Sequence, residues 1–221
     1  MVKEKSESCF FFKKAPPSEK TKDLILEEAR KQFSENGFEG TSVRDICDAV
    51  GANVSAIKYH FGGKEGLYRE CFLHHGRESL QKAEKYLTKS NTVEEAILRL
   101  KLFSEEFIKD GVENGQTTKM ICREIENQNP IIQDIFETTF LQTYKLFVDF
   151  FTDAQNKGLI RKDLNSHFVT SFFFNSLTAS MRADHVAEKH FKLTLKNPEY
   201  RDQFINNLIS IIFDGIKPQE Q

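Results

Sequence analysis

The sequence predicts an all-α protein in two parts: an N-terminal three-helix unit containing a helix-turn-helix, followed by a larger helical bundle. Three observations carry this. Glycine and proline are scarce, 11 and 5 of 221 residues, so long uninterrupted elements are expected, and helices supply them most easily. Apolar residues recur at helical spacing between recognisable caps, and no segment alternates as a strand does. The interior must also be built from 21 phenylalanines without a tryptophan, which suits helix packing and aromatic-lined cavities.

Residues 1–17 show no helical period, only charges, serines, the run Phe10-Phe11-Phe12 and Pro16-Pro17, and read as a mildly basic flexible arm. Helical spacing begins near Thr21 with Ile25, Leu26, Ala29 and Phe33 and stops at Asn36-Gly37. Ser42 heads a capping box for a second, short helix whose stripe is Val43, Ile46, Cys47 and Val50, closed by Gly51. A third short helix carries Val54, Ile57 and Phe61 inward and ends at Gly62-Gly63. Two short helices across a tight glycine turn, behind a longer one, form a helix-turn-helix, here placed in residues 18–64. Longer helices follow over residues 65–221: from Lys64 to about Leu87, from a capping box at Thr92 to about Gly111, and from Gln116 to Asn127. Asn129-Pro130 starts a segment running to Gly158. Asp163 or Ser166 caps the next helix, through about Arg182, and Asn197-Pro198 opens the last, ending at Gly215.

Composition bounds the chemistry. A formal charge of -2 excludes a basic field over the whole molecule, so any nucleic-acid contact has to come from a local patch. Cys9, Cys47, Cys71 and Cys122 form no C-x-x-C pair and read as free thiols of a cytoplasmic protein. No stretch approaches the roughly 20 apolar residues of a membrane span. Cys71, His74, His75 and Glu78 lie within two helical turns but lack the spacing of a structural zinc site, and neither metal nor cofactor is expected. The phosphate-loop, nucleophile-elbow, zincin and dinucleotide motifs are all missing, so the chain is not expected to be an enzyme.

Residues 49–64 contain no acid but do contain Lys58, His60 and Lys64. With Val54, Ile57 and Phe61 turned inward, Ser55, Lys58, Tyr59 and His60 face outward or flank. Such a face suits a DNA major groove: Lys58 can reach a guanine edge or a phosphate, Tyr59 a thymine methyl or a phosphate, and His60 a phosphate. Asn53 is an N-cap or a base or phosphate contact. Thr41, Ser42 and Arg44 open the second helix, where backbone N–H groups favour a phosphate, and Lys64 can clamp the next one.

The run Gly37-Phe38-x-Gly40-Thr41-Ser42-Val43-Arg44-Asp45-Ile46-Cys47-x-x-Val50-Gly51-Ala52-Asn53-Val54-Ser55-x-Ile57-x-Tyr59-His60-Phe61-x-x-Lys64-Glu65-Gly66-Leu67-Tyr68 closely resembles the DNA-binding domain of the tetracycline-repressor (TetR) family of bacterial transcriptional regulators. The match covers about residues 21–72. Beyond it, only the helix layout and the turn Gly158-Leu159-Ile160-Arg161-x-Asp163-Leu164 support the resemblance. The resemblance implies a homodimer that sets paired third helices into successive major grooves of a near-palindromic double-stranded operator. A small-molecule inducer, here a hydrophobic one, would release it, making it a repressor. It assigns DNA contacts to Arg44, Asn53, Ser55, Lys58, Tyr59, His60 and Lys64, with Thr41 and Ser42 near the backbone. Lys58 departs from the uncharged residue many members carry there, so operator preference does not transfer.

By the same resemblance the C-terminal part binds ligand and dimerises. Phe168, Phe172, Phe173, Leu177 and Met181, with Phe204, Leu208, Ile211 and Ile212, give the last two helices apolar stripes for a four-helix interface, or for the monomer core. Phe103, Phe107, Met120, Phe136, Phe140, Tyr144, Phe147 and Phe151 are candidates for lining an apolar cavity, with Arg123 and Glu124 as polar anchors or surface charges. The rival reading is a helical small-molecule carrier, adaptor or enzyme on the same fold without DNA binding.

Overall fold

A computed structural model describes residues 18–215; the expected arm at 1–17 lies outside them. Ten α-helices follow in order: α1 (Glu19–Gly40), α2 (Val43–Val50), α3 (Val54–Phe61), α4 (Lys64–Tyr86), α5 (Val93–Glu113), α6 (Gly115–Asn127), α7 (Gln133–Ile135), α8 (Leu141–Asn156), α9 (Ser166–Phe191) and α10 (Pro198–Asp214). The chain is all-α, and no strand occurs among the described residues.

Local chemistry sets most boundaries. Side chains of Ser18, Ser42, Asn53, Thr92, Asn165 and Asn197 accept hydrogen bonds from the first-turn N–H groups of the helices they precede. At Thr92 the cap is doubled: Glu95 reaches back to accept from Asn91 N at 2.8 Å. Gly51 adopts φ 65°, a left-handed cap that ends α2 two residues before Asn53 caps α3. α1 kinks at Gly37 (φ 76°), where its apolar period also ends.

Three expectations are corrected. The helix after residue 158 is capped by Asn165, whose side-chain carbonyl accepts from His167 N and Phe168 N, and runs to Phe191 instead of Arg182. Its last turns look like a polar loop in sequence, but Asp184 is buried there and accepts from Thr194 Oγ1 (2.9 Å) and Leu195 N (2.7 Å), closing the turn to α10. The segment opened by Asn129-Pro130 is not one uniform helix; a 3-10 turn (Pro130–Ile132), α7 and a π-helical turn (Phe136–Phe140) lead into α8. Val54 is exposed rather than inward, and Ala56 and Ile57 make the buried contacts of α3.

Two apolar clusters organise the bundle. One joins the end of α4 with α5, α8, α9 and α10 through Leu100, Phe103, Phe147, Phe151, Phe173 and Leu177. The other joins α1, α2 and α3 to Leu67, Tyr68, Cys71 and Phe72 of α4, and to Met120 and Ile121 of α6. Packing is therefore continuous across Lys64, because α4 belongs to both clusters. At its centre, Phe33 meets Tyr68 at 4.8 Å and Tyr68 meets Phe72 at 4.9 Å between ring centroids, both edge to face.

Candidate DNA-reading head and ligand cavity

α3 is held from below and bare above. Ala56 and Ile57 are buried against the head, while Asn53, Ser55, Lys58 and Tyr59 are exposed, Tyr59 to 67%. Gly66, in the first turn of α4, sets the height of α3. A Cβ there would lie 1.8 Å from Phe61 O, so glycine alone lets the end of α3 sit directly on α4. Arg44 is exposed at the start of α2, next to Ser42, whose hydroxyl accepts from Arg44 N at 3.2 Å.

Three other expected contacts sit differently. Thr41 is buried and its hydroxyl donates to Gly37 O (2.7 Å) and Gln32 O (3.2 Å), so it closes the α1 kink and is not free for a phosphate. His60 is half-buried with Nε2 turned inward and without a partner among the described residues, its ring edge-on to Tyr59 at 5.0 Å. Lys64 is half-buried, its ammonium 4.6 Å from the centroid of Phe38 and 3.5 Å from Glu39 O, so it braces the α1–α4 corner.

Below the head lies a cavity of about 510 Å³ between α4, α5, α6, α8 and α9. Of the residues expected to line it, Phe107, Phe136, Phe140 and Tyr144 do. Phe103, Phe147 and Phe151 do not: they are fully buried one layer behind, in edge or stacked contact with one another. Met120 packs in the cluster of the head. Arg123 also turns away from the cavity, donating to Phe33 O (2.8 Å) and Ser34 O (3.3 Å) at the end of α1 and to Glu124 (2.9 Å).

Glu124 is buried. Burial raises its pKa, but hydrogen bonds from Asn129 and Arg123 outweigh this and hold it below the usual range. α6 is thus gripped by the head on one face while Thr118, Ile121, Cys122 and Ile125, at helical i, i+3, i+4, i+7 spacing, line the cavity on the other.

Sequence reasoning missed these α6 residues and His75, Ser79, Asn175, Thr178 and Arg182 on α4 and α9. The α6 spacing was a usable signal. Nothing local singled out the others, which are polar residues on helices whose inward face is set by tertiary packing.

The dimer stripe divides in two. Phe173, Leu177, Met181, Leu208 and Ile212 face the monomer core, and Phe204 packs against it half-buried. Phe168 (63% exposed), Phe172 (40%) and Ile211 (42%) face outward, with a shallow groove between Phe168, Phe172 and Ala179. α9 carries apolar residues on two faces, and periodicity alone does not say which is covered.

Residues 25–71, spanning this head, match the model of "Bacterial regulatory proteins, tetR family". By this match the head is a TetR-type regulatory domain. Relatives that the chain is similar to are described as transcriptional regulators. It is 30% identical over 130 residues to the probable HTH-type transcriptional regulator YttP of Bacillus subtilis (strain 168), an overlap of 58% of this chain and 61% of YttP, so the chain spans less than two thirds of that relative. It is 26% identical over 169 residues to the HTH-type transcriptional regulator UidR of Escherichia coli (strain K12), covering 76% of this chain and 83% of UidR. The TetR-family regulator PfmR of Thermus thermophilus shares the fold, with a TM-score of 0.68 and 21% identity over 88% of this chain and 99% of that one.

Among the described residues no helix is long and apolar enough to cross a membrane, and no group of His, Cys, Asp and Glu is placed to hold a metal ion.

Proposed function

We propose that this chain is a TetR-family regulator, a homodimeric, cytoplasmic repressor that reads double-stranded operator DNA with α3 and is released when a small, largely apolar molecule fills the cavity. The observation that carries this reading is the bare upper face of α3: Asn53, Ser55, Lys58 and Tyr59 stand exposed on a helix whose other face is fixed by Ile57 and by the glycine seat at Gly66. Lys58 and Tyr59 read base edges or phosphate, and Arg44 and Ser42 take a phosphate at the start of α2. Phe168, Phe172 and Ile211, with Ala179, supply the apolar centre of the dimer interface.

Ligand in the cavity touches α4 and α6 together, and both also pack on the head, α6 through Arg123 on the carbonyls of Phe33 and Ser34. A small shift of either helix tilts one head relative to its partner and spoils simultaneous contact with two grooves. A ligand preferring the released state by about 100-fold supplies about 2.7 kcal/mol of coupling.

Electrophoretic shift with fragments of the source genome tests the function: salt-sensitive binding to particular fragments supports it. Uniform weak binding, or none, contradicts it.

A further inference from the structure

The inducer cavity ends against a second, polar pocket, and His75 on α4 lines both. The surface His75 keeps faces these two spaces, and its ring has no hydrogen-bond partner among the described residues. The polar pocket is built by Arg30 of α1, by His74, Glu78 and Lys82 of α4, and by Asp110 of α5. Its acids are already engaged: Asp110 pairs with Lys82, and Glu78 lies 3.3 Å from His74. Arg30 has no acid partner among the described residues, and its Nε is buried without an acceptor. The buried Arg30 Nε–H lacks an acceptor, and it lies beside a half-buried imidazole that also has room for one, so this corner can take a hydrogen-bond acceptor.

The rest of the cavity is apolar, with Phe107, Phe136, Phe140 and Phe174 around it. At the opposite side Arg182 is half-exposed and already meets Glu126 at 3.2 Å, so an anion gains little there.

We infer that the inducer is an amphiphilic carboxylate: its apolar body lies among the four phenylalanines, and its carboxylate accepts from His75 with the Arg30 guanidinium as the compensating charge behind it. This deepens the proposed function by naming the ligand class, and it rests on the cavity being the inducer site. It also links ligand to DNA reading, because Arg30 belongs to α1. Burial, then Lys82, Arg30 and His74, hold the His75 pKa down to about 4, so the ring is neutral when empty and offers one N–H and one bare nitrogen. An anion beside it offsets the repulsion from those cations.

The test is calorimetric titration of the full chain, without DNA, with octanoate, dodecanoate and 1-naphthoate and with the matching neutral amides. At least one carboxylate is expected to bind tighter than its amide by about tenfold to a hundredfold, the range for charge-assisted hydrogen bonds. His75→Leu and Arg30→Gln should each abolish most of that preference while amide binding persists, Arg30→Lys should keep part of it, and Arg182→Gln should leave it intact. Circular dichroism on each variant separates loss of binding from loss of fold, and Arg30→Lys keeps the test decisive if Arg30→Gln unfolds. Equal binding of acid and amide, no carboxylate binding at millimolar concentration, or a preference that survives both losses or falls only with Arg182→Gln overturns the inference. None of those results touches operator binding by the empty protein, whose absence would instead overturn the proposed function.

Discussion

Replacing Gly66 by alanine tests how the reading helix is seated. The added Cβ would lie 1.8 Å from Phe61 O, where contacts under 3.0 Å do not persist, so the end of α3 has to move by about 1.2 Å or more relative to α4. The atom in the way is backbone, so no side chain can swing aside to relieve it. α3 has eight residues and is about 12 Å long, so such a displacement at its end tilts it by about 6°. Overpacking of this kind costs about 1–3 kcal/mol, a Tm lower by about 2–12 °C for a chain of this size. A tilted α3 should also lose at least one base or phosphate contact, and operator affinity should fall about tenfold or more. Gly115→Ala is the control: its Cβ meets nothing within 4 Å and begins α6, so stability should be unchanged or higher by up to about 1 kcal/mol. Thermal unfolding and fluorescence anisotropy on a labelled operator read both effects. A Gly66→Ala protein with wild-type Tm and wild-type affinity would refute the direct seating of α3 on α4.

Lys58→Ala and Tyr59→Ala should each weaken operator binding about tenfold with little change in Tm and dimerisation, since both side chains are exposed and Tyr59 touches the head only through the His60 ring; anisotropy and sedimentation check this. Arg123→Ala should destabilise the protein by about 1–3 kcal/mol and blunt inducer release, because it removes the donors to Phe33 O and Ser34 O; urea unfolding and operator release by ligand measure the two. Acidification should cost stability through His75: with a folded pKa of about 4 against an ordinary 6.5, the unfolded chain binds a proton in that window that the folded chain does not. Stability should fall by up to about 3 kcal/mol as pH drops from 6.5 to 4, and His75→Gln should flatten that part of the profile in urea titrations. Phe172→Glu should shift sedimentation from dimer to monomer with little change in helicity, as Phe172 is 40% exposed on the outer face of α9.

The head was legible in sequence because its signals are local. Ser42, Asn53, Gly51 and the stripe around Ile46 and Cys47 each fix one boundary within a few residues of themselves. Thr41 misled because its hydroxyl, polar and next to a helix start, closes a kink with Gln32 and Gly37, a tertiary contact across nine residues. The cavity was less legible. Phe103 and Phe107 lie four residues apart on one helix and stack at 5.3 Å, yet only Phe107 reaches the cavity. Which phenylalanine backs the wall and which forms it depends on how α8 and α9 cross α5. Arg123 was expected to anchor a ligand in the cavity or to be a surface charge; instead its partners lie 89 and 90 residues away on α1, beyond any spacing rule.

Two exposed α3 faces, presented together by a symmetric pair of chains, are the centre of this account, and hydroxyl-radical footprinting of the dimer on a selected genomic fragment tests them most directly. It should show two protected patches on one side of the duplex with centres about 34–36 Å apart, both needing about tenfold more protein with Tyr59→Ala. A single patch, or protection that Tyr59→Ala leaves unchanged, would contradict it.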